Sequence, residues 1–128
     1  MQCPCTPTQL YKNCCEKAHL DITKVQTAEQ LMRSRYSAFV LANIDYLQKS
    51  HHSKTRPGKR GRKEIKDWTN SVHWIKLSVL DTDKGAKHNT TGKVEFKAYY
   101  MEDSNIIILH EISNFSKENG HWVYVDGN

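Results

Sequence analysis

The sequence predicts an α+β fold: N-terminal helices packed on one face of a curved antiparallel sheet, with a small four-cysteine metal knuckle in front. Three observations carry this. All four cysteines of the 128-residue chain, Cys3, Cys5, Cys14 and Cys15, lie within thirteen positions of the N-terminus. Apolar residues then recur at helical spacing through the first half. After Val72 the period changes to two, the alternation of half-buried strands. Helices followed by a run of strands read as α+β.

The knuckle has the spacing C-x-C-x8-C-C. Zinc takes four soft or borderline ligands in a tetrahedron, and thiolates supply them. Thr6-Pro7-Thr8-Gln9 reads as a capping box with Pro at the first helical position, so a short helix from Pro7 is expected to carry Cys14 and Cys15 at its far end. So short a helix needs an outside source of stability, and metal binding provides one. Lys12 and Lys17 flank the second pair and offset the negative charge of four thiolates. Zinc stands ahead of three alternatives. Disulfides suit an oxidising compartment, a redox dithiol is expected as C-x-x-C, and an iron–sulfur cluster also uses four cysteines.

Residues 1–19 form the knuckle, residues 20–26 read as a linker, and 27–126 as the main domain. Thr27-Ala28-Glu29-Gln30 is a second capping box. Ala28, Leu31, Met32, Tyr36, Phe39 and Val40 form one apolar stripe behind it, and Asn43 is suited to close the helix in the left-handed conformation. Ile44–Lys49 reads as a second helix, the Gly- and Pro-bearing segment 54–62 as a break, and Glu64–Asn70 as a third helix. Strands are expected at Trp74–Leu80, Lys93–Met101, Ile106–Phe115 and His121–Val125, with a polar connection at 81–92. The third is apolar on both faces in its first half, which predicts a central strand. Asn119-Gly120 is a two-residue hairpin signal. It pairs Glu118 with His121, Lys117 with Trp122 and Phe115 with Tyr124, placing Glu111, Ser113, Phe115, Trp122 and Tyr124 on one face.

Charge and composition narrow the function classes. The formal charge is +5, and six cations fall in one run, Lys54, Arg56, Lys59, Arg60, Arg62 and Lys63. The run reads as a solvated loop; its alternative use is phosphate contact with nucleic acid or ribosome. No aromatic is interleaved there for base stacking. The chain has no apolar run long enough to span a membrane and no signal-like N-terminus, so a cytoplasmic protein with reduced thiols is expected. No Gly-rich phosphate loop, nucleophile elbow or H-E-x-x-H pattern is present.

Cys3-Pro4-Cys5 with Tyr11-Lys12-Asn13-Cys14-Cys15 resembles the SEC-C motif, the zinc knuckle also found at the C-terminus of the SecA translocation ATPase. Ala28–Val40, with Met32–Phe39 its most specific part, resembles the YchJ family of bacterial proteins. So do Asp45-Tyr46-Leu47, Trp74–Leu77, Val94-Glu95-Phe96, Leu109–Phe115 and Gly120–Gly127. The resemblance implies a SEC-C-type zinc knuckle followed by an NTF2-like domain, a cone of helices against a bent sheet, in a family of unestablished biochemical role. Two departures stand out: Thr6-Pro7-Thr8 replaces the usual Gly-Ser-Gly, and the second, C-terminal knuckle of many relatives is missing up to Asn128.

NTF2-like cones often hold a cavity. Its candidate polar groups are Arg33, Arg35, Tyr36, His110, Glu111 and Ser113, and its candidate walls are Trp68, Trp74, Phe96, Phe115 and Trp122. Glu111 among aromatics is suited to acid–base work, and the competing expectation is a structural ion pair with Arg33 or Arg35. His110 points to the opposite face. The expected function is a module that uses the knuckle to dock a protein partner and the cone to hold a small ligand. The alternatives are an enzyme acting on a small molecule in the cavity, or a nucleic-acid binder using residues 54–63.

Overall fold

The computed structural model describes residues 1–128. The knuckle opens with a two-stranded antiparallel hairpin, β1 (Gln2–Cys3) and β2 (Thr6–Leu10), followed by a 3-10 turn at Tyr11–Asn13 and α1 (Cys15–Leu20). The helix expected from Pro7 is therefore a strand. Cys14 and Cys15 sit at the start of a helix rather than at the end of one, because β2 must run back along β1 to bring the second pair of sulfurs to the first.

Residues 20–26 are not a linker. Asp21 caps a 3-10 turn at Ile22–Lys24 by accepting the Thr23 amide at 3.0 Å, and Ile22 and Val25 are buried. α2 (Ala28–Val40) starts at the expected cap, the Thr27 hydroxyl accepting the Gln30 amide at 3.1 Å. The Gln30 side chain reaches back one residue further than a simple box, to the Gln26 amide at 2.7 Å. Ala42, not Asn43, takes the positive φ at the end of α2. Asn43 instead caps α3 (Ile44–Lys49), accepting the Tyr46 amide at 3.1 Å. α4 spans Lys59–Ser71, so half of the basic run is helical and not loop. Gly61 is carried inside it, where a Cβ would come within 2.8 Å of the Pro57 ring.

The main sheet is an antiparallel meander in the order β3 (His73–Lys84), β4 (Thr91–Glu102), β5 (Asn105–Glu118), β6 (His121–Gly127). The hairpin at Asn119-Gly120 has the two positive φ angles of a type I′ turn, 53° and 83°, and the expected register follows from it. Bulges in β3 and β6 bend the sheet, which gives the cone its curve. β5 lies between β4 and β6, but only its second half, Ser113–Glu118, pairs with β6. Its apolar first half is not covered on both faces: Ile106 and Ile108 are 64% and 52% exposed. The helices cover one face only, and an antiparallel sheet tolerates that.

One core runs through the whole chain. Cys3, Cys5, Cys15 and Ala18 of the knuckle pack in the same cluster as Leu31, Met32 and Tyr36 of α2, Tyr46 and Leu47 of α3, and Val94, Phe96, Phe115 and Trp122 of the sheet.

Candidate functional site

The four cysteine sulfurs lie within 4.8 Å of one another. Neighbouring pairs stand at 3.7 Å (Cys3–Cys5), 3.6 Å (Cys5–Cys14) and 4.0 Å (Cys14–Cys15). A tetrahedron of thiolates about 2.3 Å from a central ion has edges of about 3.8 Å. The set fits a metal ion without rearrangement, and none of the sulfurs is bonded to another. Cys3, Cys5 and Cys15 are buried; Cys14 is partly so. The Ser37 hydroxyl stands 3.6 Å from Cys3 Sγ, and Arg33 Nη1 donates to the Cys5 carbonyl at 3.2 Å. Both bring polar support from α2 to an anionic cluster.

Crowding splits the thiols by proton affinity. Cys5 is brought down to about 5, chiefly by the hydrogen bond its thiolate takes from Cys15. Cys14 is pushed up to about 12 by burial and by the Cys5 charge, and Cys15 is raised as well. A charge on Cys5 opposes ionisation of Cys14 and Cys15, and a cation among the sulfurs would relieve that opposition.

α1 is tied to α2 by a second network. His19 Nδ1 lies 2.6 Å from the Tyr11 hydroxyl and its Nε2 2.7 Å from the Ser34 carbonyl, with its ring tilted on Tyr46 at 4.6 Å. Burial lowers its pKa, so the ring is neutral.

On the other side of α2 lies a cavity of about 140 Å³. Of the expected pocket residues, Arg35, Tyr36, Trp68, Trp74, Phe96, Glu111, Ser113 and Phe115 surround it. Two do not. Arg33 is turned to the knuckle and to Glu29, 2.9 Å away, because a helix rotates about 100° per residue and sends Arg33 and Arg35 to opposite sides. Trp122 is core, 1% exposed, with its indole N–H donating to the Gln26 carbonyl at 3.0 Å; it holds the sheet to the entry of α2. His110 faces outward and meets Glu95 at 2.6 Å. Met32, Phe39, Ala98, Leu109 and Tyr124 complete the lining. Met32 and Phe39 stand on the helical stripe and Tyr124 in the hairpin register; Ala98 and Leu109 carry no polar signal to set them apart from core.

Neither arginine pairs with Glu111. Glu111 takes the Ser113 hydroxyl and lies against the backbone of Gly127, where no side chain stands in its way. Arg35 Nη1 donates to the Leu47 carbonyl and to Ser50 Oγ, both at 2.8 Å, and its guanidinium lies 4.7 Å over the Tyr124 ring. Burial lowers its pKa to about 10, which leaves it charged at neutral pH. Trp68 meets Trp74 and Tyr100 edge to face at 5.4 Å, and Trp74 is tilted on Tyr100 at 5.2 Å, so Tyr100 backs the two tryptophans of the aromatic wall.

The six cations of the basic run do not form one free patch. Arg60 meets Glu64, Lys63 meets Asp67 and Arg62 meets Asp45, leaving Lys54, Arg56 and Lys59 outside any ion pair, with Arg56 donating to the His51 carbonyl. No helix is long and apolar enough to cross a membrane.

Comparison with known proteins agrees with this architecture. The family described as YchJ, middle NTF2-like domain, matches residues 27–127. A UPF0225 protein of Vibrio parahaemolyticus is 45% identical over 127 residues, 98% of this chain and 73% of that protein. One from Streptomyces coelicolor is 41% identical over 125 residues, covering 98% and 93%. The solution structure of a SEC-C motif containing protein from Rhodopseudomonas palustris superposes with a TM-score of 0.85 at 28% identity, covering 100% of this chain and 98% of that one. The crystal structure of a SEC-C motif containing protein from Psychrobacter arcticus gives 0.81 at 30% identity, covering 98% and 81%.

Proposed function

The chain belongs to the YchJ family, and on that premise we propose that it is a small-ligand-binding module whose cone is braced by a structural zinc knuckle. The observation that carries the reading is the double duty of α2. One side of this helix supports the sulfurs through Arg33 and Ser37, and the other presents Arg35 and Tyr36 to the cavity. An ion in the knuckle therefore fixes the rotation and position of the helix that shapes the binding site. Four thiolates fill the tetrahedron of zinc and leave no open position for substrate, which is the pattern of a structural ion. The reduced thiols that this requires fit the cytoplasm.

The direct test is elemental analysis of protein purified without added metal. One zinc per chain is the expected result. Stoichiometric iron, or a metal-free protein with oxidised cysteines, would defeat the zinc reading.

A second reading, docking of a protein partner on the knuckle, draws support from Leu10 and Leu20, which stand beside it 45% and 79% exposed. Its test must keep the metal, since the cysteines belong to the common core. Leu10→Glu with Leu20→Glu should abolish partner retention while zinc content stays at one per chain. The enzyme alternative keeps its carboxylate, since Glu111 is not locked against an arginine. The nucleic-acid alternative draws less support, because three of its six cations are already matched by carboxylates.

A further inference from the structure

We propose that the ligand of the cone is a small monocarboxylate with an aromatic or similarly compact apolar body, its carboxylate held by the free edge of Arg35. This rests on the ligand-binding reading above and gives it a substrate class.

The size comes first. The cavity of about 140 Å³ is close to the roughly 150 Å³ that holds a benzene ring in an apolar protein interior. Its walls are Trp68, Trp74, Phe96 and Phe115, flat faces suited to a ring.

The charge follows from what Arg35 does and does not touch. A guanidinium has five N–H donors in a planar fork. Both protein contacts of Arg35 are made by Nη1, to the Leu47 carbonyl and Ser50 Oγ. Nε and Nη2 have no protein partner, and together they form the edge whose parallel N–H groups match a carboxylate. Since no buried side-chain nitrogen or oxygen is left unsatisfied, these two nitrogens are reached by solvent, and Arg35 lines the cavity. The Nη1 anchors and the Tyr124 ring below hold the fork in one orientation before any ligand arrives. Its fork is hydrogen-bonded to no carboxylate of the protein, which leaves it available to an anionic ligand. Tyr36 and Tyr124 also line the cavity, and neither hydroxyl has a protein hydrogen bond.

Glu111 sets the limit. It lies in the same cavity, turned onto Ser113 and Gly127. One cation and one carboxylate leave the site near neutral, which accommodates a single negative charge and disfavours a dianion. That separates a carboxylate from a phosphate ester.

Trp68 and Trp74 report on the site by fluorescence. The whole, metal-replete chain is titrated with benzoate, with benzyl alcohol as the uncharged isostere, and with inorganic phosphate. Saturable quenching by benzoate is expected, at least tenfold tighter than by benzyl alcohol, with no response to phosphate. Arg35→Lys should weaken benzoate about tenfold, because the fork is lost while the charge stays. Arg35→Met should make benzoate and benzyl alcohol bind alike. Leu109→Trp, at a partly exposed position of the lining, should abolish both responses and serves if Arg35→Met does not fold. Equal binding of benzoate and benzyl alcohol by the unaltered protein overturns the carboxylate proposal and leaves the ligand-binding reading intact. Binding of phosphate as tight as benzoate overturns it too. Failure of both aromatic probes removes the ligand-binding reading along with it.

Discussion

Arg33 and Arg35 stand two positions apart on one helix and serve different halves of the molecule. The first donates to the Cys5 carbonyl and pairs with Glu29; the second is anchored to Leu47 and Ser50 beneath the cavity. Both residues were visible in the sequence as candidate polar groups, but only their contacts separate a knuckle-supporting arginine from a cavity one. His51 offers a test at this scale. It stacks on Tyr124 at 5.0 Å, and burial, aided by the nearby Arg35, Arg56 and His52, lowers its pKa from 6.5 to about 4. A histidine held neutral in the fold binds its proton more readily when unfolded. Its contribution is therefore present above pH 6.5 and lost as the pH falls towards 4. Denaturant midpoints should decrease across that window, and His51→Gln should flatten the decrease; an unchanged slope would show that His51 carries none of it.

The elements show where local rules yielded to distant constraints. Thr6-Pro7-Thr8-Gln9 satisfies the composition of a helix start, yet it forms β2. The local preference of a few residues is worth little; pairing with β1 and convergence of four sulfurs decide the segment. Thr27–Gln30 obeys the same rule and does start a helix, since a full apolar stripe follows it. The N-terminus of α2 also depends on two glycines. Ala28 donates its amide to the Gly85 carbonyl at 2.9 Å, and Gly85 has a φ of 78°. A Cβ on Gly92 would strike the Gly85 backbone and the Ala28 side chain, neither of which has free space to retreat into. Gly92→Ala should therefore cost on the order of 1–3 kcal/mol in chemical denaturation, the usual range for overpacking. Thr27→Ala should cost about 1 kcal/mol by loss of the cap, read in the same measurement. A loss at Gly92 no larger than at an exposed helical site would mean that the helix tip and the hairpin are not in contact.

For the whole molecule the decisive feature is the single core joining knuckle, helices and sheet. Stripping the metal should therefore lower the thermal midpoint of the entire chain, not melt a separate N-terminal arm. The check is a melt followed at Trp68 and Trp74, on the far side of α2 from the sulfurs, with and without a chelator. A tryptophan transition unmoved by metal removal would make the knuckle an independent appendage. Much of this architecture was legible in one dimension. Cysteine spacing marked the sulfur cluster, the change of hydrophobic period marked helices before strands, and Asn119-Gly120 set the register that puts Glu111, Ser113, Phe115 and Tyr124 on one face. Each of these is a short-range pattern, fixed by bond geometry and side-chain chemistry over a few residues. Only the tertiary structure decided that β2 is a strand, that Trp122 is core, that half the basic run is helical and ion-paired, and that Glu111 leaves Arg35 with a free edge. Those outcomes depend on which distant groups compete for the same donor or the same space, and sequence spacing does not record that competition.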